Sequence, residues 1–132
     1  MTDPRTRATL RDLERAGMDR DRESLREAEA RVAEADQAWR ALHTRHDADV
    51  AARREARAAM TGSLDARALA RWSDDDEAWR RALDADRADL LRRARDLADA
   101  RAARNNLAQA LAARLARLQA LRDAPSDDPS DE

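Results

Sequence analysis

His43 and His46 are the only histidines in the 132-residue chain. Three residues apart on a helix, they share nearly one face, a spacing at which two imidazoles can hold one metal ion. Only Asp47 and Asp49 stand close enough in sequence to add a third ligand, and His46 falls on the apolar seam described below. A polar seam residue beside a surface residue accounts for the pair more simply than a metal centre does. The chain has no cysteine, which removes disulfides and thiolate metal sites. With two glycines in all, it has no glycine-rich phosphate loop, and no serine lies near a histidine in a plausible pocket. The expectation is a protein with no catalytic residues, no cofactor and no bound metal.

Polar residues recur where an apolar stripe would otherwise continue: His46, Arg53, Asp76, Asp86, Arg93, Arg104 and Arg114. Such residues weaken a coiled coil but can fix its register. A register role is expected for His46 and Arg104. Arg93 and Arg114 are read as stems lying along a narrow seam with their charges in water. The three aromatic residues are Trp39, Trp72 and Trp79. Tryptophan and arginine are frequent anchors of protein interfaces, and a two-helix seam cannot fully cover an indole, so packing and partner contact are both open to them. From Ala100 to Arg122 there are five arginines (Arg101, Arg104, Arg114, Arg117, Arg122) and no acid. Arg5, Arg7, Arg11 and Arg15 come alongside if the chain folds back on itself. That end is then basic, yet the net charge of -2 and the lack of lysine argue against nucleic acid as the partner. Asn105, Asn106 and Gln109 form a polar outer patch best read as solvated surface.

The elements that must position these residues are long helices. Thr2 or Asp3 can cap a helix whose first turn holds Pro4, and no further proline follows before Pro125. The first clear break is Thr61-Gly62-Ser63. Helix 1 is therefore expected over about 4–60. Met18, Leu25, Val32, Trp39, His46, Arg53 and Met60 follow at intervals of seven, and Ala28, Ala35, Leu42 and Ala56 fall three residues after members of that series. This is a heptad seam. Leu10 and Leu13 are out of phase with it, so a seam shift is expected near Gly17. A connection over 61–73 contains a short helix from Ala66 to Trp72, opened by Ser63 or Asp65. Ser73, with Asp74, Asp75, Asp76 and Glu77 behind it, then reads as the cap and acidic first turn of helix 2, over about 74–123. Its seam is Leu69, Asp76, Leu83, Leu90, Leu97, Arg104, Leu111 and Leu118, with Trp72, Trp79, Ala100, Leu107 and Leu121 at the second set of positions. The segment 125–132 holds only Pro, Ser, Asp and Glu and is expected to be disordered.

The predicted fold is all-α: a long antiparallel two-helix coiled-coil hairpin over 1–124, each arm on the order of 75–85 Å at the helical rise. Pairing positions whose numbers sum to 132 sets Leu25 on Leu107, Ala35 on Leu97, Leu42 on Leu90, Met60 on Trp72, and Arg53 beside Trp79, where a guanidinium can stack on the indole. Acid-before-base pairs four residues apart (Glu27/Arg31, Asp36/Arg40, Asp49/Arg53, Glu77/Arg81, Asp89/Arg93) suit solvated outer faces.

Composition agrees. Charged residues make up 41% of the chain and aromatics 2%, while the apolar share is mostly Ala and Leu, strong helix formers with little bulk for a globular core. No apolar run approaches the ~18 residues that would span a bilayer, and the first residues lack the apolar stretch of a secretory signal. A cytoplasmic protein without membrane insertion is the expectation.

A long capped helix, a short helical connection from Thr61 to Trp72 and a second long helix resemble the central-stalk proteins of type III secretion, flagellar FliJ and its injectisome counterparts. The resemblance covers nearly the whole chain in layout and has no diagnostic motif. The Phe and Tyr residues often found near the turn in that family are absent, so Trp72 and Trp79 would stand in for them. It implies that the end carrying both termini enters a hexameric secretion ATPase, that the region nearer the turn meets the export gate, and that secretion chaperones are further partners. On that reading Arg114, Arg117 and Arg122 face the ATPase, and Leu42, His46, Trp72, Trp79 and Leu83 face the gate. The alternative is a structural or regulatory coiled-coil scaffold unrelated to secretion. Since an Ala-rich seam leaves little core, weak self-association also fits.

Overall fold

A computed structural model describes residues 3–60 and 65–123. It contains two helices, α1 (Pro4–Ala59) and α2 (Ala66–Asp123), paired as an all-α helical hairpin. Asp3 caps α1: its carboxylate accepts from the Arg5 N–H at 3.3 Å and its carbonyl from the Arg7 N–H at 2.9 Å. Pro4 then takes the first helical position, where a missing N–H costs nothing. The last turn of α1 closes with the Met60 N–H on the Arg57 carbonyl, 3.2 Å. Thr2, the expected break at Thr61-Gly62-Ser63 and the segment 125–132 lie outside the described residues.

The second helix starts earlier than the sequence suggests. Asp65 is its cap, accepting from the Ala68 N–H at 2.7 Å through its side chain and from the Leu69 N–H at 3.0 Å through its carbonyl. α2 then runs without interruption through Ser73, so the expected connection over 61–73 and the start near 74 are corrected. The acidic run that reads as a first turn is helix interior. Asp76 turns into the seam toward three arginines, and Glu77 pairs with Arg81 at 3.5 Å. Carboxylates that would favour a helix start are equally well held mid-helix when arginines are in reach.

The contacts divide the chain into two compact units, one of Met1–Val32 with Asp99–Glu132, the other Ala33–Ala98. In the Ala33–Ala98 unit, Arg45 meets Asp86 and Arg53 meets Asp76. One arm ascends in number as the other descends, so the helices are antiparallel and close to the expected register. Leu83 and Leu97 are buried, 8% and 6% exposed, while Trp39, Leu42, His46, Arg53, Trp72, Trp79 and Leu90 are half-buried. The heptad reading of this unit stands, except that Leu69, Ala56 and Arg93 face solvent.

The other unit brings a second correction. Ala28 is 2% exposed and Gly17 is buried, but the seam does not shift at Gly17. It continues in phase through Arg7, Arg11 and Glu14, all half-buried, and leaves Leu10 and Leu13 exposed. The reason is electrostatic. Arg114 enters the seam from α2 and pairs with both Glu14 and Asp21, and those residues occupy the in-phase positions. A seam this narrow buries little apolar area, so ion pairs that are hydrogen-bonded across it matter more than they would beside a large core.

Candidate interaction surfaces

In the Ala33–Ala98 unit one carboxylate gathers three arginines. Arg53 and Arg57 each place an Nη2 3.1 Å from Asp76 Oδ1, and Arg80 places its Nε 3.1 Å from Oδ2. Arg57 and Arg53 come from α1, Arg80 from the next turn of α2. Asp76 is held below the usual carboxylate range, first by its hydrogen bond from Arg53 and against the cost of burial, with Arg80 and Arg57 adding to the effect. Arg53 also stacks: its guanidinium carbon lies 3.8 Å from the Trp72 ring centroid and 5.6 Å from that of Trp79. The expected Arg53–Trp79 contact therefore exists, but Trp72 is the closer face. The Arg53 Nε and the His46 Nδ1 are buried without a hydrogen-bond partner. A cleft of about 400 Å³ opens beside the cluster, lined by Arg53, Arg54, Arg57, Arg80 and Trp79 among others. Five arginines (Arg53, Arg54, Arg57, Arg80, Arg87) and one carboxylate, Asp84, line this cleft and leave it with surplus positive charge.

A second opening of about 400 Å³ in the same unit has almost no polar wall. Trp39, His43, Arg87, Leu90, Leu91 and Ala94 line it. The Trp39 and His43 rings are 5.0 Å apart between centroids and tilted by 35°. The His43 Nδ1 sits 3.2 Å from Asp47, so the two histidines part company: His43 joins this groove and His46 the seam. Leu91 is 64% exposed.

In the Met1–Val32 with Asp99–Glu132 unit, Arg114 donates from Nε to Asp21 at 2.7 Å and from Nη1 to Glu14 at 3.1 Å. Its pKa is raised above the ordinary guanidinium value, chiefly by the Asp21 hydrogen bond. Arg117 donates to the other oxygen of Glu14 at 3.2 Å. The reading of Arg114 as a solvated stem is corrected, because two acids from α1 reach it. Arg104 instead donates to its own neighbour Asn105, from Nε at 3.3 Å and Nη2 at 3.1 Å. Among the described residues the ion pairs that join the two helices include Arg45 with Asp86, Arg53 and Arg57 with Asp76, Arg114 with Glu14 and Asp21, and Arg117 with Glu14. On the same unit a groove of about 210 Å³ is lined by Arg11, Arg15, Arg22 and Arg122 together with Met18, Leu115, Leu118 and Gln119.

Of the residues singled out from the sequence, Trp72 and Trp79 come together under Arg53. Leu83 is buried and also lines the cleft beside Arg53 and Trp79, while Leu42 and His46 are half-buried seam residues. Arg114 and Arg117 are engaged by acids, and Arg122 lines the basic groove. The Trp39–Leu91 groove was not anticipated. The signal for it is Leu91, a leucine directly after a seam leucine, on a face shared with Arg87, Ala88, Ala94 and Arg95. Among the described residues no three His, Asp or Glu side chains converge as metal ligands, and no helix is long and apolar enough to cross a membrane. No protein-family model matches the chain, nor does any curated protein or solved structure.

Proposed function

We propose that the chain is a non-enzymatic, cytoplasmic adaptor that presents helix faces to protein partners, and that its specific role is the stalk of a type III secretion export apparatus, binding the secretion ATPase and the export gate. The observation that carries the adaptor reading is the Trp39–Leu91 groove. It is a shallow apolar patch on a helix pair rich in exposed Arg, Asp, Glu and Ala, and its Leu91 is 64% exposed. Apolar surface of this kind suits the apolar face of a partner helix, anchored at every third or fourth residue. The stalk form rests on the layout of two long antiparallel helices and on the arginines at the end carrying both termini. Secretion chaperones would be further clients.

A specific feature favours the scaffold alternative. Leu13, Leu69, Leu91 and Leu115 are all exposed, and a second copy of the chain would cover such leucines as well as a foreign helix would. One experiment separates the two. Full-length chain is tested for capture of a hexameric secretion ATPase and of the soluble domain of an export gate, and its mass is followed by sedimentation across a concentration series. The stalk reading expects capture of both and a monomer, with gate capture lost in Leu91→Asp. No capture, together with a concentration-dependent dimer that Leu91→Asp dissociates, establishes the scaffold instead.

A further inference from the structure

Two openings of the Ala33–Ala98 unit belong to one track. The basic cleft beside Asp76 and the apolar patch at Leu91 share Arg87 in their walls. On α1 they are lined by Trp39, His43, Val50, Arg54 and Arg57, at steps of four, seven, four and three residues. On α2 they are lined by Arg80, Asp84, Arg87, Leu91 and Ala94, at steps of four and three. Those steps keep side chains on one helix face, so both openings lie along the same side of the helix pair. At the helical rise the track runs about 27 Å on α1, from Trp39 to Arg57, and about 21 Å on α2, from Arg80 to Ala94.

The track changes character along its length. Its Trp39 end is apolar, with Leu90, Leu91 and Ala94. Its Arg57 end holds five arginines and Asp84. Asp76, which pairs with Arg53, Arg57 and Arg80, adds a second carboxylate and still leaves three positive charges in excess. On α1, Asp47 falls between the two ends and is already taken by His43 at 3.2 Å. A purely apolar partner lying along the whole track would strip water from the arginines without pairing them. A nucleic acid would meet the arginines and leave Trp39 and Leu91 uncovered. A helix that is apolar over one half and acidic over the other satisfies both ends.

We infer that this track receives one amphipathic helix of another protein, about 14–18 residues long at the helical rise. The half that meets Trp39, Leu90 and Leu91 carries an apolar residue at every third or fourth position. The half that meets Arg54, Arg57 and Arg87 carries Asp or Glu at the same spacing. The inference rests on the adaptor reading and adds to it the partner's length and its order of charge. The apolar half anchors the helix, and the acids set its register and speed the encounter.

The test uses the full chain and a fluorescently labelled, Ala-based helical peptide of about 18 residues. One half of the peptide has Leu at every third or fourth position and the other half has Glu at the same spacing. A second peptide has Lys in place of Glu, and a third has the Leu and Glu of the first interleaved. Fluorescence anisotropy should show the first peptide bound at least about tenfold more tightly than the other two. Leu91→Asp should weaken that binding by about tenfold or more. Arg54→Glu with Arg87→Glu should weaken it likewise and transfer the preference to the Lys peptide. Neither arginine is among the three that pair with Asp76, so that cluster stays in place, and circular dichroism checks helicity.

No binding of the first peptide, or equal affinity for all three, overturns the inference. So does binding that Leu91→Asp abolishes and the arginine reversal leaves unchanged, an outcome in which the apolar anchor of the adaptor reading survives and the charge order fails. Binding that depends on the arginines and is indifferent to Leu91→Asp overturns both. A dimer in sedimentation that excludes the first peptide and is dissociated by Leu91→Asp gives the track to a second copy of the chain and overturns the foreign helix.

Discussion

Arg114 occupies the space that a side chain at Gly17 would fill: a Cβ placed on Gly17 would collide with the Arg114 guanidinium. The glycine sits mid-helix with ordinary right-handed geometry, so its value lies in its missing side chain and not in backbone freedom. Its bare surface lets α2 send a cation across the seam to Asp21 and Glu14.

That relationship predicts a non-additive pair of substitutions. Gly to Ala inside a helix ordinarily stabilises by about 1 kcal/mol. In the wild-type chain this gain should vanish or reverse, because the guanidinium must leave its two carboxylates to admit a methyl group. In an Arg114→Ala background the gain should return. Urea unfolding of the four proteins measures the coupling. Gly17→Ala changing stability equally in both backgrounds would mean that Arg114 gives way freely.

Asp76 predicts how the hairpin responds to acid. Its folded pKa lies below its ordinary value near 3.8, chiefly through the Arg53 hydrogen bond. A depressed carboxylate contributes stability that is fully present above the unfolded pKa and is lost as pH falls through the folded one. Wild-type melting temperature should therefore hold between pH 7 and 5 as far as this group is concerned and drop below about pH 4. Asp76→Asn should melt lower at pH 7, on the order of 5 °C for a chain of this size, and should lose less on acidification. A parallel acid response in the two proteins would sink this assignment.

The burial pattern predicts which leucines hold the pair together. Leu97 is 6% exposed and Leu91 is open to solvent. Leu97→Ala should cost about 2–3 kcal/mol, at the low end for a buried leucine because water readily enters a two-helix seam. Leu91→Ala should change stability by no more than about 0.5 kcal/mol. Chemical denaturation of both decides it, and equal losses would place Leu91 in the core.

Much of this was legible in the heptad. Leu25, Val32, Leu42, Leu83, Leu90, Leu97 and Leu107 report the seam because apolar residues at that period have only one way to be covered together. The exceptions have physical reasons. Ser73 followed by acids looks like a helix start because cap residues and mid-helix ion-pair residues are the same types, and only the arginines that converge on Asp76 from α1 distinguish them. Leu10 and Leu13 suggest a shifted seam because apolarity outweighs charge in a pattern search, whereas Arg114 and its two acids pull polar residues into that phase. The Arg114 contacts join residues far apart in sequence, so no local signal announces them. The Trp39–Leu91 groove depends on where two faces meet and is equally invisible to spacing.

Arg53 predicts a spectroscopic signature. Its guanidinium lies over Trp72 and near Trp79 and shields two of the three indoles in the chain. Arg53→Ala should shift tryptophan emission to the red and lower the melting temperature, since it uncovers the rings and removes the first cause of the Asp76 shift. Arg53→Lys should restore the charge near Asp76 but not the flat contact, leaving emission close to that of the alanine variant. Emission unchanged in both variants would mean that the stack does not persist in solution.

The state of the arginines changes what the secretion reading must predict. Arg114 is held by Glu14 and Asp21 and Arg117 by Glu14, so removing them first weakens the pairing of the two helices. Arg11, Arg15, Arg22 and Arg122 line an open groove and can meet an acidic partner. If the chain binds a secretion ATPase through this end, Arg15→Ala with Arg22→Ala should weaken binding, flatten its salt dependence and leave the melting temperature nearly unchanged. Arg114→Ala should lower the melting temperature, and its effect on binding should follow the loss of helix pairing. Titrating the ATPase with each variant at several salt concentrations, alongside thermal melts, separates the two classes. Binding that falls with Arg114→Ala while stability and salt slope stay fixed would return Arg114 to the interface and make its contacts with Glu14 and Asp21 dispensable.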